Sequence, residues 1–211
     1  MVWSDQPNIR QERMKHSQYR WKLVNGFVIC FNDNRVQSFI PSEMICVDES
    51  ISRWYSQDGD WINYGLPHYV AIDRKPENGC EIQDSCCGVS GIMMRLKVFK
   101  QEEDYSDTES DENSSTLGYG VKVLKELIPP GNGSGRLVCV NSYFASVQAA
   151  EKIYQEGLKF IGVVKTAHRK FKLKNLQSIE LQKRGDRVGL VRRKKEGEGV
   201  CDILAFVWMD R

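Results

Sequence analysis

Long apolar runs are missing from this 211-residue sequence. None approaches the roughly 18 consecutive residues that a membrane-crossing helix needs, so no transmembrane helix is expected. The first 20 residues are polar and charged and lack the apolar stretch of a secretory signal. Histidine is scarce, and His16, His68 and His168 are too scattered to suggest a Ser/His/Asp or Cys/His constellation. The seven cysteines are odd in number and irregular in spacing, which argues against a disulfide framework. A reducing compartment, nuclear or cytoplasmic, is the expectation. Cys80, Cys86 and Cys87 lack the paired CxxC spacing of structural zinc and read as buried strand residues. No Gly-Lys-Ser/Thr follows the GNGSG stretch at 131–135, so that turn is not a phosphate cradle, and no small-molecule substrate is evident.

What is present is a globular composition with segregated charge. Hydrophobic residues make up 41% and charged residues 27%, enough to bury a core in one or two domains. The net charge is only +2. Residues 101–115, however, read QEEDYSDTESDENSS, with seven acids and no base. The rest of the chain therefore carries 30 bases against 21 acids. Such an acidic stretch buries nothing and is expected to be a disordered surface loop. Lys165 to Lys195 holds twelve Lys/Arg against Glu180 and Asp186. A body this basic points to a polyanionic partner, with DNA the natural candidate, or else to a solvated charged face.

Residues 1–12 lack periodicity and read as a loose terminus. From Arg13 to about Phe31, Tyr19, Leu23, Phe27 and Cys30 recur at helical spacing, with Asn32-Asp33-Asn34 as a stop. Met44–Val47 is a short apolar run ending on Asp48, as a buried strand would be. Residues 49–79 read as an insertion loop in which His68–Ile72 is extended, and Trp54, Tyr55, Trp61 and Tyr64 pack within it or stack on bases. Cys80–Cys87 and Ile92–Phe99 form a hairpin, the second half alternating with strand period. Val121, Leu124 and Ile128 mark a helix that Pro129-Pro130 ends. Arg136–Val140 is a strand ending on Asn141. Ser142 is a candidate cap for a helix with Val147, Ala150 and Tyr154 inward, closed by Gly157. Further strands are expected at Phe160–Val164, 187–193 and 200–208.

This order predicts an α/β fold, a ribonuclease H-like mixed sheet with flanking helices and long insertion loops. In that arrangement Asp48 and Asn141 end neighbouring strands. A carboxylate pair at such a place holds two magnesium ions for phosphoryl transfer. Here Asp48 supplies one anionic ligand, and Asn141 has only an amide oxygen to offer.

Four segments carry a family resemblance: MICVDESISRWY, HYVAIDRKPENGCEIQ, GIMMRLKV and RLVCVNSYFASVQAAEKIYQEGLKFIGVVKT. They resemble the transposase domain of PiggyBac transposable element-derived proteins, over roughly residues 20–210. The resemblance implies a DDE-type nuclease with three catalytic aspartates and Mg2+. Asp48, in VDES, matches the first aspartate. Asn141, in VNSYFAS, stands where the second is expected, as a degenerate catalytic position. The third belongs to a Gly-Val-Asp segment that the sequence does not reach, so residues 13–211 read as a transposase-like domain incomplete at its C-terminal end. Asp202 and Asp210 have no counterpart in the family.

The expectation is a catalytically inactive transposase-derived domain, with Asp48 at most a weak Mg2+ ligand. Its phosphate contacts would come from Arg74, Lys75, Lys165, Arg169, Lys170, Arg192, Arg193, Lys194 and Lys195. The alternatives are a protein-interaction module and a Mg2+-dependent nuclease completed by a partner.

Overall fold

The computed structural model describes residues 17–53, 70–71, 78–99, 117–164, 179–196 and 199–209. Chain order is α1 (Ser17–Ser38), β1 (Met44–Arg53), β2 (Val70–Ala71), β3 (Asn78–Cys87), β4 (Met93–Val98), α2 (Tyr119–Leu127), a 3-10 turn (Pro129–Gly131), β5 (Leu137–Val140), α3 (Val147–Gln155), β6 (Lys159–Gly162), β7 (Arg187–Glu196) and β8 (Gly199–Trp208). A six-stranded sheet runs β2-β3-β1-β5-β6, with β4 also paired to β3. β3 is antiparallel to β1, β2 and β4, whereas β1, β5 and β6 are mutually parallel. The expected ribonuclease H-like order is therefore the observed one. β7 and β8 form a separate antiparallel pair.

Helices cover both faces of the sheet. On one face Ile45, Val47, Val138 and Val140 pack against Val123, Leu124 and Leu127 of α2 and Ala149 and Ile153 of α3. On the other, Val24, Val28 and Phe31 of α1 pack against Ile82, Leu96 and Val98. A register shift between Ser85 and Cys86 leaves Met94 without a ladder partner. It turns Met94 into the α2/α3 core, away from the side that Leu96 and Val98 occupy, as a bulge does.

α1 departs from its sequence reading in two ways. Its buried stripe is Val24, Val28 and Phe31, while Phe27 and Cys30 are exposed. Both sets recur at helical spacing, and the position of β4 selects between them. Asn32 and Asn34 do not stop the helix, because their side chains bond elsewhere. Asn32 Nδ2 donates to the Leu96 carbonyl at 3.0 Å, and Asn32 Oδ1 accepts from the Leu96 N–H at 2.9 Å. With the bond from Arg35 Nε to the Met93 carbonyl (2.9 Å), these satisfy backbone groups on an edge strand that would otherwise stay open to other chains. Asn34 Nδ2 bonds the Cys30 carbonyl within the helix.

β1 also exceeds its predicted length. Pairing with β5 stops at Val47↔Val140, but pairing with β3 continues to Arg53↔Gly79. At the opposite end of the β1–β5 ladder, Arg136 donates from Nε to the Ser42 carbonyl (2.7 Å) and from Nη2 to the Pro41 carbonyl (3.1 Å). The cap of α3 is Ser146, whose hydroxyl accepts from Ala149 N–H at 2.9 Å; Ser142 does not cap. Ala149 and Ile153 consequently face inward, and Tyr154 is exposed. Gly157 follows the helix with φ +71°, the left-handed conformation expected there.

Val70–Ala71 lies within the predicted extended stretch. The acidic segment 101–115, residues 1–12, the three histidines and Trp54, Tyr55, Trp61 and Tyr64 lie outside the described residues.

Candidate functional site at the β1–β5 junction

β1 and β5 run parallel and in register, Cys46 beside Cys139 and Val47 beside Val140, so the next residues, Asp48 and Asn141, arrive together. Just there β5 ends. Consecutive side chains of β1 ordinarily point to opposite faces, but Asn141 sits beyond the last β5 pair and can be reached from both. Its Nδ2 donates to Asp48 Oδ1 at 2.7 Å and to Glu49 Oε2 at 2.5 Å.

The amide orientation is set by its other atom, since Asn141 Oδ1 accepts the Tyr143 N–H at 2.9 Å. An amide turned the other way would place two N–H groups against that backbone donor. The loop is anchored by Phe144, which is buried in the α2/α3 core with its ring edge-on to Tyr143 (centroids 4.9 Å). Close approach by β6 adds to this. A Cβ on Gly162 would stand 2.7 Å from Val140 Cγ2 and 2.9 Å from Ala145 Cβ, so only glycine allows β6 so near the loop.

The Glu49 carboxyl titrates above the usual carboxylate range. Burial is the main cause, followed by the hydrogen bond and charge of Asp48, while the Asn141 amide pulls the other way. Asp84 lies directly opposite Asp48 on β3, is buried, and accepts the Ser50 hydroxyl at 2.7 Å. Two residue pairs away, Cys86, Cys46 and Cys139 lie abreast on β3, β1 and β5. Burial pushes the Cys86 thiol up to about 11 and raises that of Cys139, and neighbouring Cys46 adds to both.

Glu49, Asp84 and Tyr143 were not singled out by sequence. Glu49 had the signal of standing beside Asp48 in VDES. Asp84 becomes visible only with the β1–β3 register.

The donor set does not suit a pair of magnesium ions. The Asn141 oxygen is engaged by Tyr143, and its N–H groups occupy the space a cation would need between Asp48 and Glu49. No group of three or more His, Cys, Asp or Glu side chains among the described residues is arranged to hold a metal ion.

Of the basic residues expected to touch phosphate, Arg74, Lys75, Lys165, Arg169 and Lys170 lie outside the described residues. Arg192, Arg193, Lys194 and Lys195 all belong to β7, which is not a strand of the sheet that carries the β1–β5 junction. Arg193 Nε pairs with Asp202 Oδ1 at 3.0 Å, and Arg192 reaches Glu151 of α3 at 3.5 Å. Asp202 is thus engaged within the hairpin, and Asp210 is outside the described residues.

A mixed sheet of this strand order, with an acid where the first parallel neighbour departs, agrees with a DDE-type transposase domain. A profile of the family described as transposase IS4 matches residues 6–199, and the chain belongs to that family. Its fold is also that of piggyBac transposase, solved by cryo-electron microscopy as a synaptic complex with hairpin DNA. That match has a TM-score of 0.66 at 18% identity and covers 88% of this chain. The chain spans 37% of the length of that transposase. No curated protein matches the chain. Among the described residues, no helix is long and apolar enough to cross a membrane.

Proposed function

We propose that this chain is a catalytically inactive transposase-derived domain that keeps a non-specific affinity for DNA in a nuclear or cytoplasmic setting. The observation that carries the loss of catalysis is the direction of the Asn141 amide. It gives N–H groups, and no oxygen, to Asp48 and Glu49. Two-metal strand cleavage needs anionic oxygens that hold both ions against their mutual repulsion, and here a neutral donor occupies the carboxylate oxygens instead. The DNA affinity is supported by the basic excess of the chain outside 101–115 and by the complex with hairpin DNA described for piggyBac transposase. The acidic segment would compete with DNA for the same basic surface.

Purified wild type, Asn141→Asp and Asp48→Ala, assayed for Mg2+-dependent nicking of supercoiled DNA, test the first half. Wild type is expected to be silent, and cleavage abolished by Asp48→Ala would refute the reading in favour of an active nuclease. Duplex binding measured against salt tests the second half. A steep slope that flattens when Arg192, Arg193, Lys194 and Lys195 are replaced by Gln is the expected result. The exposed Val191, Leu204, Phe206 and Trp208 on the hairpin favour a second reading, a protein-interaction module. Salt-insensitive binding, or none, would favour that reading.

A further inference from the structure

We propose that Asn141 is a self-modifying site: the Asn141-Ser142 linkage deamidates within the folded chain, converting the amide into a carboxylate at the position where the family resemblance expects an aspartate. The chemistry needs three things: a polarised side-chain carbonyl, a reachable backbone nitrogen after it, and help for the departing nitrogen. The hydrogen bonds of the Asn141 amide supply the first and the third, and the second is the next nitrogen along the chain. Asn141 Oδ1 receives the Tyr143 N–H at 2.9 Å, which draws electrons from Cγ and steadies the oxygen as negative charge builds on it. Among the described residues no hydrogen bond engages the Ser142 N–H, and Ser142 lies between the end of β5 and the start of α3, outside any ladder. The Asn141 nitrogen rests between the Asp48 and Glu49 oxygens at 2.7 and 2.5 Å, where carboxylates favour the extra proton it must take up before it leaves as ammonia.

The step balances as follows. The Ser142 nitrogen gives up its proton and forms a bond to Asn141 Cγ, closing a five-membered succinimide. The Cγ–Nδ2 bond breaks, and the nitrogen takes that proton through solvent and departs as ammonia. Water then opens the ring. Breaking the new bond at Cγ gives aspartate, and breaking the main-chain bond gives isoaspartate. One water enters and one ammonia leaves, with no oxidant, metal or enzyme involved. The linkage is half-buried beside an exposed Asp48, so water has access. The reading of this position as degenerate bears only on what the new carboxylate means, because the conversion stands on local geometry alone.

The test is incubation of the full chain at neutral pH, with peptide mass spectrometry of the segment holding Asn141 and enzymatic methylation to detect isoaspartate. Asn132-Gly133, whose Gly133 N–H is tied to the Glu156 carbonyl at 2.7 Å, serves as an internal reference in the same chain. Conversion of Asn141 is expected to run about tenfold faster in the folded chain than in urea, a modest share of what one well-placed group can supply. Asp48→Asn with Glu49→Gln should bring the folded rate down to the urea rate. Ser142→Pro, whose ring nitrogen has no proton to give up, should abolish conversion in both conditions, with circular dichroism confirming that each variant is folded. An Asn141 rate no higher in the folded chain than in urea would overturn the proposal, as would a rate indifferent to the loss of both carboxylates. Nicking activity is scored separately, so a silent nuclease site and a failed deamidation remain distinguishable.

Discussion

The central sheet and the β7–β8 hairpin both contain apolar-rich strands, β8 in the hairpin, yet they dispose of them in opposite ways. Ile45 and Val138 are wholly buried, with 0% of their surface exposed, while Leu204 and Trp208 keep 62% and 56%. In the sheet, β1, β3, β4, β5 and β6 have helices to pack against. The hairpin has two strands and touches the body through contacts such as Arg192 with Glu151. A two-stranded ribbon is marginal in water by itself, so its order relies on the cross-strand pair Arg193–Asp202 and on the Phe206–Trp208 ring contact along β8 at 5.6 Å. Apolar sequence alone does not make a core; a second layer does.

The largest expected effect separates the two regions directly. Ile45→Ala should cost about 2–5 kcal/mol in urea unfolding, whereas Leu204→Ala should stay within about 0.5 kcal/mol. Equal costs would mean that the hairpin face is covered in solution.

The next effect lies at the junction. Asn141→Asp replaces a donor with a third carboxylate and should destabilise the chain at neutral pH by about 1–3 kcal/mol, the usual cost of losing such a partner. Magnesium should recover part of that loss in the variant and leave wild-type melting unchanged. A magnesium shift as large in wild type would show that the amide does not exclude the ion.

A smaller effect sharpens the hairpin. Arg192 and Arg193 are successive strand residues and address opposite faces. A DNA backbone on one face would meet only one of them. Replacing that one with Gln should lower the log–log salt slope by about 0.9, and replacing the other should leave it alone. Equal changes from both would point to a ribbon enclosed by DNA.

The smallest effect is on pH dependence. Glu49 titrates higher folded than its ordinary value of 4.5, so the folded state holds its proton more tightly. The associated stability is complete below about 4.5 and is lost as pH rises through the raised folded value. Wild type should therefore weaken relative to Glu49→Gln on that climb, as read by urea midpoints at stepped pH. Parallel curves would place Glu49 in ordinary solvent.

Much of the sheet was legible because its signals are local. Met44–Val47 is apolar throughout, as suits a strand covered on both faces, and Pro129-Pro130 ends α2 sterically. Asp48 and Asn141 could be paired from strand order alone. What escaped depended on partners far along the chain. Val24 and Val28 repeat with the same period as Phe27 and Cys30, and only β4 chooses between them. Ser142 and Ser146 both suit a cap, but the turn closed by Asn141 Oδ1 and Tyr143 takes up the first and leaves the helix to begin at the second. The polar ESISR stretch of β1 becomes strand through its pairing with β3. Glu49 joins Asn141 only because β5 stops one residue short of it, a matter of relative strand length that no local pattern encodes.

Arg136 gives the four-pair β1–β5 ladder a mechanical consequence. A short ladder tied at one end frays from the other, but this one is stitched at both, by the guanidinium to the Pro41 and Ser42 carbonyls and by the Asn141 amide to Asp48. Loss of the amide stitch alone would let the strands part from the Val140 end while Arg136 still held their alignment. Because a slip of one residue would turn every side chain of β5 to the wrong face, that remaining stitch lets the junction open and close like a hasp without losing its place.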